Sequence, residues 1–424
     1  MPQFQQSLRS VPFPATIHQL DNGLTLIHQC LPATPVAVVD IWVRAGAIAE
    51  PTSWVGMAHF LEHMIFKGTK KIPPGRFDEI VEYNGGMTNA ATSHDYAHFY
   101  LTIAAPYLSE TLPVLAEILL QAEIADEEFY RERDVVLEEI HSSNDDPDWL
   151  GFQALCQSLY QQHPYGRCVL GSERQLLEHT PNQMRCFHRT HYQPENIAVM
   201  IVGGIEWDTA LSLVNDSFTD FTARSECPPV NIEAEAPLIS VRRNQLFLPR
   251  LEQSRLMMAW LCPGIEQLTH VMGLDLISAV LTGGRSTRLV RELREERQIV
   301  LDIDSGFSLQ QDSSLFTINV WLLPENLEAV EALICDRLYQ LQITPISEAE
   351  LNQAKKFLIN DYIFSTETPG QLAGLYGYYQ TIASPELSVI YPTIVEQFEA
   401  ADLISLASQY LSPERYAVTV MQSC

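Results

Sequence analysis

The chain has 424 residues, 46% of them hydrophobic, enough to bury two separate cores without a disulfide scaffold. Its formal charge of −27 and pI near 4.7 exclude a nucleic-acid partner, which needs a positive footprint; such a charge keeps a chain soluble and attracts basic peptides. The eight cysteines (Cys30, Cys156, Cys168, Cys186, Cys227, Cys262, Cys335, Cys424) lack paired metal spacing, no apolar run reaches a bilayer span, and Met1 to Leu20 has one basic residue, Arg9, among breaks at Pro2, Pro12 and Pro14, so a reduced, cytoplasmic, non-membrane protein is expected.

The first predicted element is a hairpin. Thr16 to Leu20 and Leu24 to Ile27 flank Asp21-Asn22-Gly23, where Asn22-Gly23 supplies the positive φ of a tight turn. Val36 to Val43 is rich in β-branched residues and predicts a strand, after which Trp54 to Phe66 switches to helical spacing. Gly85-Gly86-Met87 reads as a turn entering another strand. Further along, the strand and proline-led helix around Phe99 to Pro106 return around Thr317 to Pro324, an offset of 218 residues, and Pro194-Glu195-Asn196 to Val199 returns at Pro413-Glu414-Arg415 to Val418. Two tandem units follow: residues 1–221, a linker over 222–245 marked by the proline- and acid-rich run from Cys227 to Pro237, and residues 246–424. The fold class is α+β, each unit a mostly antiparallel sheet with helices packed on one face.

The chemistry concentrates in His59-Phe60-Leu61-Glu62-His63. On a helix, residues four apart share a face, so both imidazoles can reach one metal while Glu62, at i+3 from His59, sits beside them. Two histidines with an adjacent carboxylate at this spacing suit zinc, which lowers the pKa of bound water from about 16 to about 7 and lets Glu62 take its proton near neutral pH. A catalytic site also needs a third protein ligand. The helical run Glu127 to Ile140 offers Glu138 and Glu139, which project roughly 100° apart, and periodicity does not choose between them.

With Lys67-Gly68-Thr69, Asn89-Ala90-Ala91-Thr92-Ser93, Arg133-Asp134-Val135-Val136-Leu137-Glu138-Glu139-Ile140, His163-Pro164-Tyr165-Gly166 and Gly283-Gly284-Arg285-Ser286-Thr287-Arg288-Leu289, the motif closely resembles the pitrilysin-like inverzincin metallopeptidases, in particular the processing-peptidase branch with its catalytic, beta-like subunits. The resemblance runs nearly end to end. In that family the third ligand lies about 76 residues beyond the last histidine, which selects Glu139, 76 residues beyond His63. It implies Glu132 as the carboxylate that supports the metal site, Asn89, Ala90, Ala91 and Thr92 as an edge strand that binds extended peptide, and two domains closing like a clam shell.

One departure stands out: family members that act alone carry an Arg and, seven residues later, a Tyr in the second half, whereas here Arg294 is followed by Leu301. This chain is therefore expected to be the metal-bearing subunit of a pair with a homologous partner, as heterodimer or homodimer. Aligning the halves puts Asp275, Ser278 and Ala279 opposite His59, Glu62 and His63, so one Zn²⁺ per chain is expected. The sequence thus points to a zinc endopeptidase acting on unstructured peptides or presequence-like segments, against the alternative of a non-catalytic scaffold or peptide-binding subunit of the same fold. His94, His98, His141 and His191 lack ligand spacing and are read as ordinary.

Overall fold

The computed structural model describes residues 11–249 and 251–424; the first ten residues, on which the expectation about a targeting segment partly rests, lie outside them. Six strands build the first sheet: β1 (Thr16–Gln19), β2 (Thr25–Cys30), β3 (Val36–Val43), β4 (Met87–Thr92), β5 (Ala97–Ala104) and β6 (Ile197–Gly203). Their order is β1-β2-β6-β3-β5-β4, antiparallel except for the parallel pair β2/β6. The hairpin forms as expected, with Gly23 at φ 99°. The helices of this half are α1 (Met57–Ile65), α2 (Arg76–Tyr83), α3 (Leu108–Leu120), α4 (Asp126–Asn144), α5 (Pro147–Leu159), α6 (Glu173–Glu178), α7 (Pro181–His191) and α8 (Trp207–Ser217).

The second half repeats the plan with β7 (Arg242–Phe247), β8 (Ser254–Pro263), β9 (Asp302–Ser308), β10 (Ser313–Leu322) and β11 (Ala417–Gln422), in the order β7-β11-β8-β10-β9 and again with one parallel pair, β7/β11. Around it lie α9 (Leu268–Thr282), α10 (Leu327–Ile343), α11 (Glu348–Phe364), α12 (Pro369–Ile382), α13 (Tyr391–Gln397) and α14 (Ala400–Tyr410), with a π-helical turn at Val290–Glu296. The residues between α8 and β7 hold no helix or strand. The expected linker end at 245 is displaced, because Arg242 to Gln245 pair with β11 as an edge strand whose polar side chains hide it in the sequence.

Each sheet carries the helices of its own half on one face, where Leu26, Val39, Ile41, Val199 and Ile201 form the first core. The opposite face is covered by a helix from the other half. Ala373 and Tyr376 of α12 pack on Ile27, Val38, Trp42 and Met200 of the first sheet, and Leu155 and Leu159 of α5 pack on Met257, Ala259 and Met421 of the second. Burial on both faces explains why β3 and β6 are apolar almost throughout rather than alternating. Among the described residues no helix is long and apolar enough to cross a membrane.

Candidate metal centre

The helix α1 begins at Gly56, whose φ of 90° and close approach to the Leu170 carbonyl, 2.7 Å from where a Cβ would sit, leave room for glycine alone. Its free amides are met by a residue that sequence reasoning missed. Glu50, fully buried, accepts hydrogen bonds from Gly56 N at 3.0 Å and Ala58 N at 2.7 Å. Burial pushes its carboxyl up to about 8, against the amide bonds and the charge of Arg167. An isolated glutamate seven residues before a helix carries no sequence signature of a cap.

From that anchored start, Met57, Phe60, Leu61, Met64 and Ile65 enter the core, which turns His59, Glu62 and His63 toward α4 and β4. Phe60 meets Phe129 of α4 at 4.6 Å between ring centroids, setting the two helices side by side. On α4, Phe129, Glu132, Val136 and Ile140 form the buried face. Glu139 lies next to that face and reaches the imidazoles, its carboxylate oxygens 3.6 Å from His59 Nε2 and 3.3 Å from His63 Nε2. Glu138, the other candidate, is 83% exposed and lies nearer His141.

His59, His63 and Glu139 each bring one ligand atom within 4.8 Å of the others, and this is the one such group of three among the described residues. The spacing fits a metal better than direct hydrogen bonding. Tetrahedral bonds of about 2.0–2.1 Å place neighbouring ligand atoms about 3.3 Å apart, close to both observed separations, whereas 3.6 Å is too long for a hydrogen bond. The His63 ring is held in the matching tautomer: its Nδ1 donates to Glu132 Oε1 at 3.0 Å, freeing Nε2, and Lys67 Nζ binds the other Glu132 oxygen at 2.6 Å. His59 Nδ1 is buried without a hydrogen bond.

Electrostatics point the same way. Burial lowers the His59 imidazole to about 4, with His63 adding to the drop and Glu139 opposing it. At His63 burial also pulls downward, but hydrogen bonds to Glu132 and Glu139 and their charges outweigh it, raising that ring to about 9. Glu132 falls below the usual carboxylate range because His63 and Lys67 overcome its burial, and Glu139 falls through its bond to His63. The carboxylates thus draw a positive charge into the cluster, and without a metal a proton on His63 supplies it.

Glu62 lies beside this cluster. Burial raises its carboxyl, opposed by the hydrogen bond from Thr92 Oγ1 to Oε2 at 2.6 Å. Thr92 ends β4, which is the sheet edge, so one side of Asn89, Ala90, Ala91 and Thr92 has no strand partner among the described residues. The charge of His98, read from sequence as ordinary, also favours ionised Glu62, while its Nδ1 is bound to Asp40 at 3.0 Å. Arg294 is not gathered into the cluster: its guanidinium is held by Glu295 and Asp302 in the second half, and Leu301 is half exposed nearby in sequence. In that half Ser278 of α9 bonds Ser305 of β9, so the helix that answers α1 holds an edge strand through hydroxyls in place of Glu62 and Thr92.

Two family profiles match the chain: "Insulinase (Peptidase family M16)" over residues 26–173, which contains the whole cluster, and "Peptidase M16 inactive domain" over 179–358. An uncharacterized zinc protease of Mycobacterium leprae is 30% identical over 415 residues, covering 95% of this chain and 90% of that protein. Another, from Mycobacterium tuberculosis, is 27% identical over 402 residues, covering 95% and 92%. The crystal structure of a protease from Helicobacter pylori superposes with a TM-score of 0.89 at 24% identity, over 96% of this chain and 99% of that one, so the two halves share the clam-shell arrangement of that fold. The chain belongs to the insulinase family of peptidases, family M16.

Proposed function

We propose that the protein is a zinc-dependent endopeptidase that hydrolyses unstructured peptides or targeting segments, with His59, His63 and Glu139 as the ligands of one Zn²⁺. The observation that carries this reading is the convergence of those three groups beside a buried Glu62. Bound zinc would polarise the scissile carbonyl and lower the pKa of water to about 7. Glu62 then takes the proton from the attacking water and delivers it to the leaving amine, and its raised basicity suits that exchange. Thr92 occupies Oε2, which orients the carboxylate and leaves Oε1 for the proton. An extended substrate adds to the open edge of β4 along Asn89–Thr92, recognised through backbone groups more than through sequence. Glu132 keeps His63 oriented through the bond to Nδ1.

The partner follows from the second half. Arg294 is followed seven residues later by Leu301 where the family resemblance expects a tyrosine, so a homologous subunit, as heterodimer or homodimer, completes the peptide-binding surface. Hydrolysis of a quenched peptide is compared for the chain alone, for the chain with candidate partners, and for Glu62→Gln with its zinc content measured. Glu62→Gln is expected to keep zinc and lose about 10²–10⁴-fold in turnover, and His63→Ala to lose the metal. Wild-type turnover by Glu62→Gln would refute the assigned role, and full activity of the isolated monomer would remove the partner.

A further inference from the structure

We propose that Cys186 and Cys227 form a redox site that exchanges with low-molecular-weight disulfides such as oxidised glutathione, locking the interdomain segment onto the first half. Cys186 lies on α7 and Cys227 in the irregular segment between α8 and β7, 41 positions apart, yet the Cys227 thiol points at the Cys186 sulfur across 3.5 Å. This is the one hydrogen bond between two cysteine thiols among the described residues, all of whose cysteines are free. Both side chains are half-buried, within reach of a small reagent.

The surroundings hold the two sulfurs together. Gln193 Nε2 donates to the Thr222 carbonyl at 3.1 Å, Thr190 Oγ1 to that of Ser225 at 2.9 Å, and Cys186 Sγ to that of Glu226 at 3.5 Å, while Arg224 pairs with Glu195. The segment is thus zipped along α7 up to the thiol pair. Closing from 3.5 Å to a bond of about 2.0 Å needs side-chain rotation more than backbone travel. Beyond Cys227 come Pro228 and Pro229, and the next anchor is Glu235, which accepts from Gln162 N at 2.8 Å and His163 N at 3.2 Å. A bond at Cys227 therefore pins the segment to α7 ahead of its next anchor, Glu235 on the loop after α5.

The chemistry is ordered by the thiol geometry. Cys186 loses its proton to solvent and attacks the glutathione disulfide, which breaks that S–S bond, forms a mixed disulfide on the sulfur facing Cys227 and releases one glutathione thiolate. Cys227 then loses its proton to solvent and attacks the Cys186 sulfur, releasing the second. In balance, two protein thiols and one glutathione disulfide give one protein disulfide and two reduced glutathione molecules, with the pair's two electrons passing to the reagent.

The test uses the full chain equilibrated in buffers of varied reduced-to-oxidised glutathione ratio, acid-quenched, alkylated and digested with trypsin. Expected is a peptide Cys186–Arg189 joined to Ser225–Arg242, neither of which holds another cysteine, with free thiols falling from eight to six and recovering on return to reduced glutathione. Cys227→Ser should instead trap a stable glutathione adduct on Cys186 and lose one thiol. Recovery of Cys186 and Cys227 in separate peptides at equilibrium with oxidised glutathione, alkylated or each glutathionylated, would overturn the proposal, and the readout is independent of peptidase activity.

Discussion

Glu132 binds His63 with one oxygen and Lys67 with the other, so a change to glutamine keeps the size but removes the charge that holds both cations. For Glu132→Gln we expect zinc affinity to fall about 10–100-fold, measured by chelator competition. A second readout separates this from simple damage to the fold: in the metal-free variant the His63 ring should titrate well below its value of about 9, because a raising charge is gone. An unchanged His63 titration by NMR would remove the role given to Glu132. A different histidine governs acid stability. His188 is buried, bonded through Nε2 to the Leu119 carbonyl at 2.8 Å, and burial depresses it to about 4, with Arg189 adding to the drop and the Leu119 bond opposing it. The unfolded ring, with a pKa of about 6.5, takes up its proton first as pH falls. The neutral ring's contribution is therefore complete above about pH 6.5 and lost by about pH 4, to the extent of about 3 kcal/mol. His188→Gln cannot titrate, so unfolding free energies of wild type and variant should converge by roughly that amount between pH 7 and pH 4. Parallel curves would contradict the depressed value.

At the scale of elements, the site depends on α1 and α4 keeping their relative register, and the Phe60–Phe129 contact is their main lock. Phe129→Ala should cost about 3–5 kcal/mol in denaturant unfolding and weaken zinc binding, since Glu139 follows on the same helix. Tyr130→Ala, at a neighbouring but 48% exposed position, should stay within about 0.5 kcal/mol. The same two helices show what the sequence could and could not disclose. His59 and His63 are legible because a spacing of four on an apolar-flanked helix has one geometric meaning, and β3 and β5 are legible because each β-branched or repeated run has its own bounds. Glu138 and Glu139 are both polar and both on a solvated helix margin, so only the rotation of α4 about Phe129 and Val136 separates them without a family resemblance. Glu50 and Lys67 act across loops, where periodicity carries no information. Nothing local in α5 or α12 tells a helix that it will cover the other half's sheet.

That exchange of helices is what makes two tandem units one molecule, and each donated helix meets the foreign sheet through a glycine. Gly151 of α5 lies under Met421 and Met257, where an added Cβ would sit 2.5 Å from Met421 Cε and 2.7 Å from Met257 Sδ. Gly377 of α12 lies under Trp42, where the Cβ would sit 2.1 Å from Nε1 and 2.3 Å from Cδ1. The two contacts look equivalent but differ in how they can yield. Methionine thioethers swing aside by rotation about three bonds, whereas Trp42 is 4% exposed and wedged among Tyr96, His98 and Tyr378. Gly151→Ala should therefore cost under about 1.5 kcal/mol. Gly377→Ala should lever α12 away from the first sheet at a cost of about 1–3 kcal/mol or more, splitting one thermal transition into two and speeding proteolysis in the segment between α8 and β7. Zinc affinity gives the control, because His59, His63 and Glu139 all belong to the first half and should bind metal as before. Equal effects from the two glycines, or a loss of zinc from Gly377→Ala, would mean that the interface is not what joins otherwise independent halves.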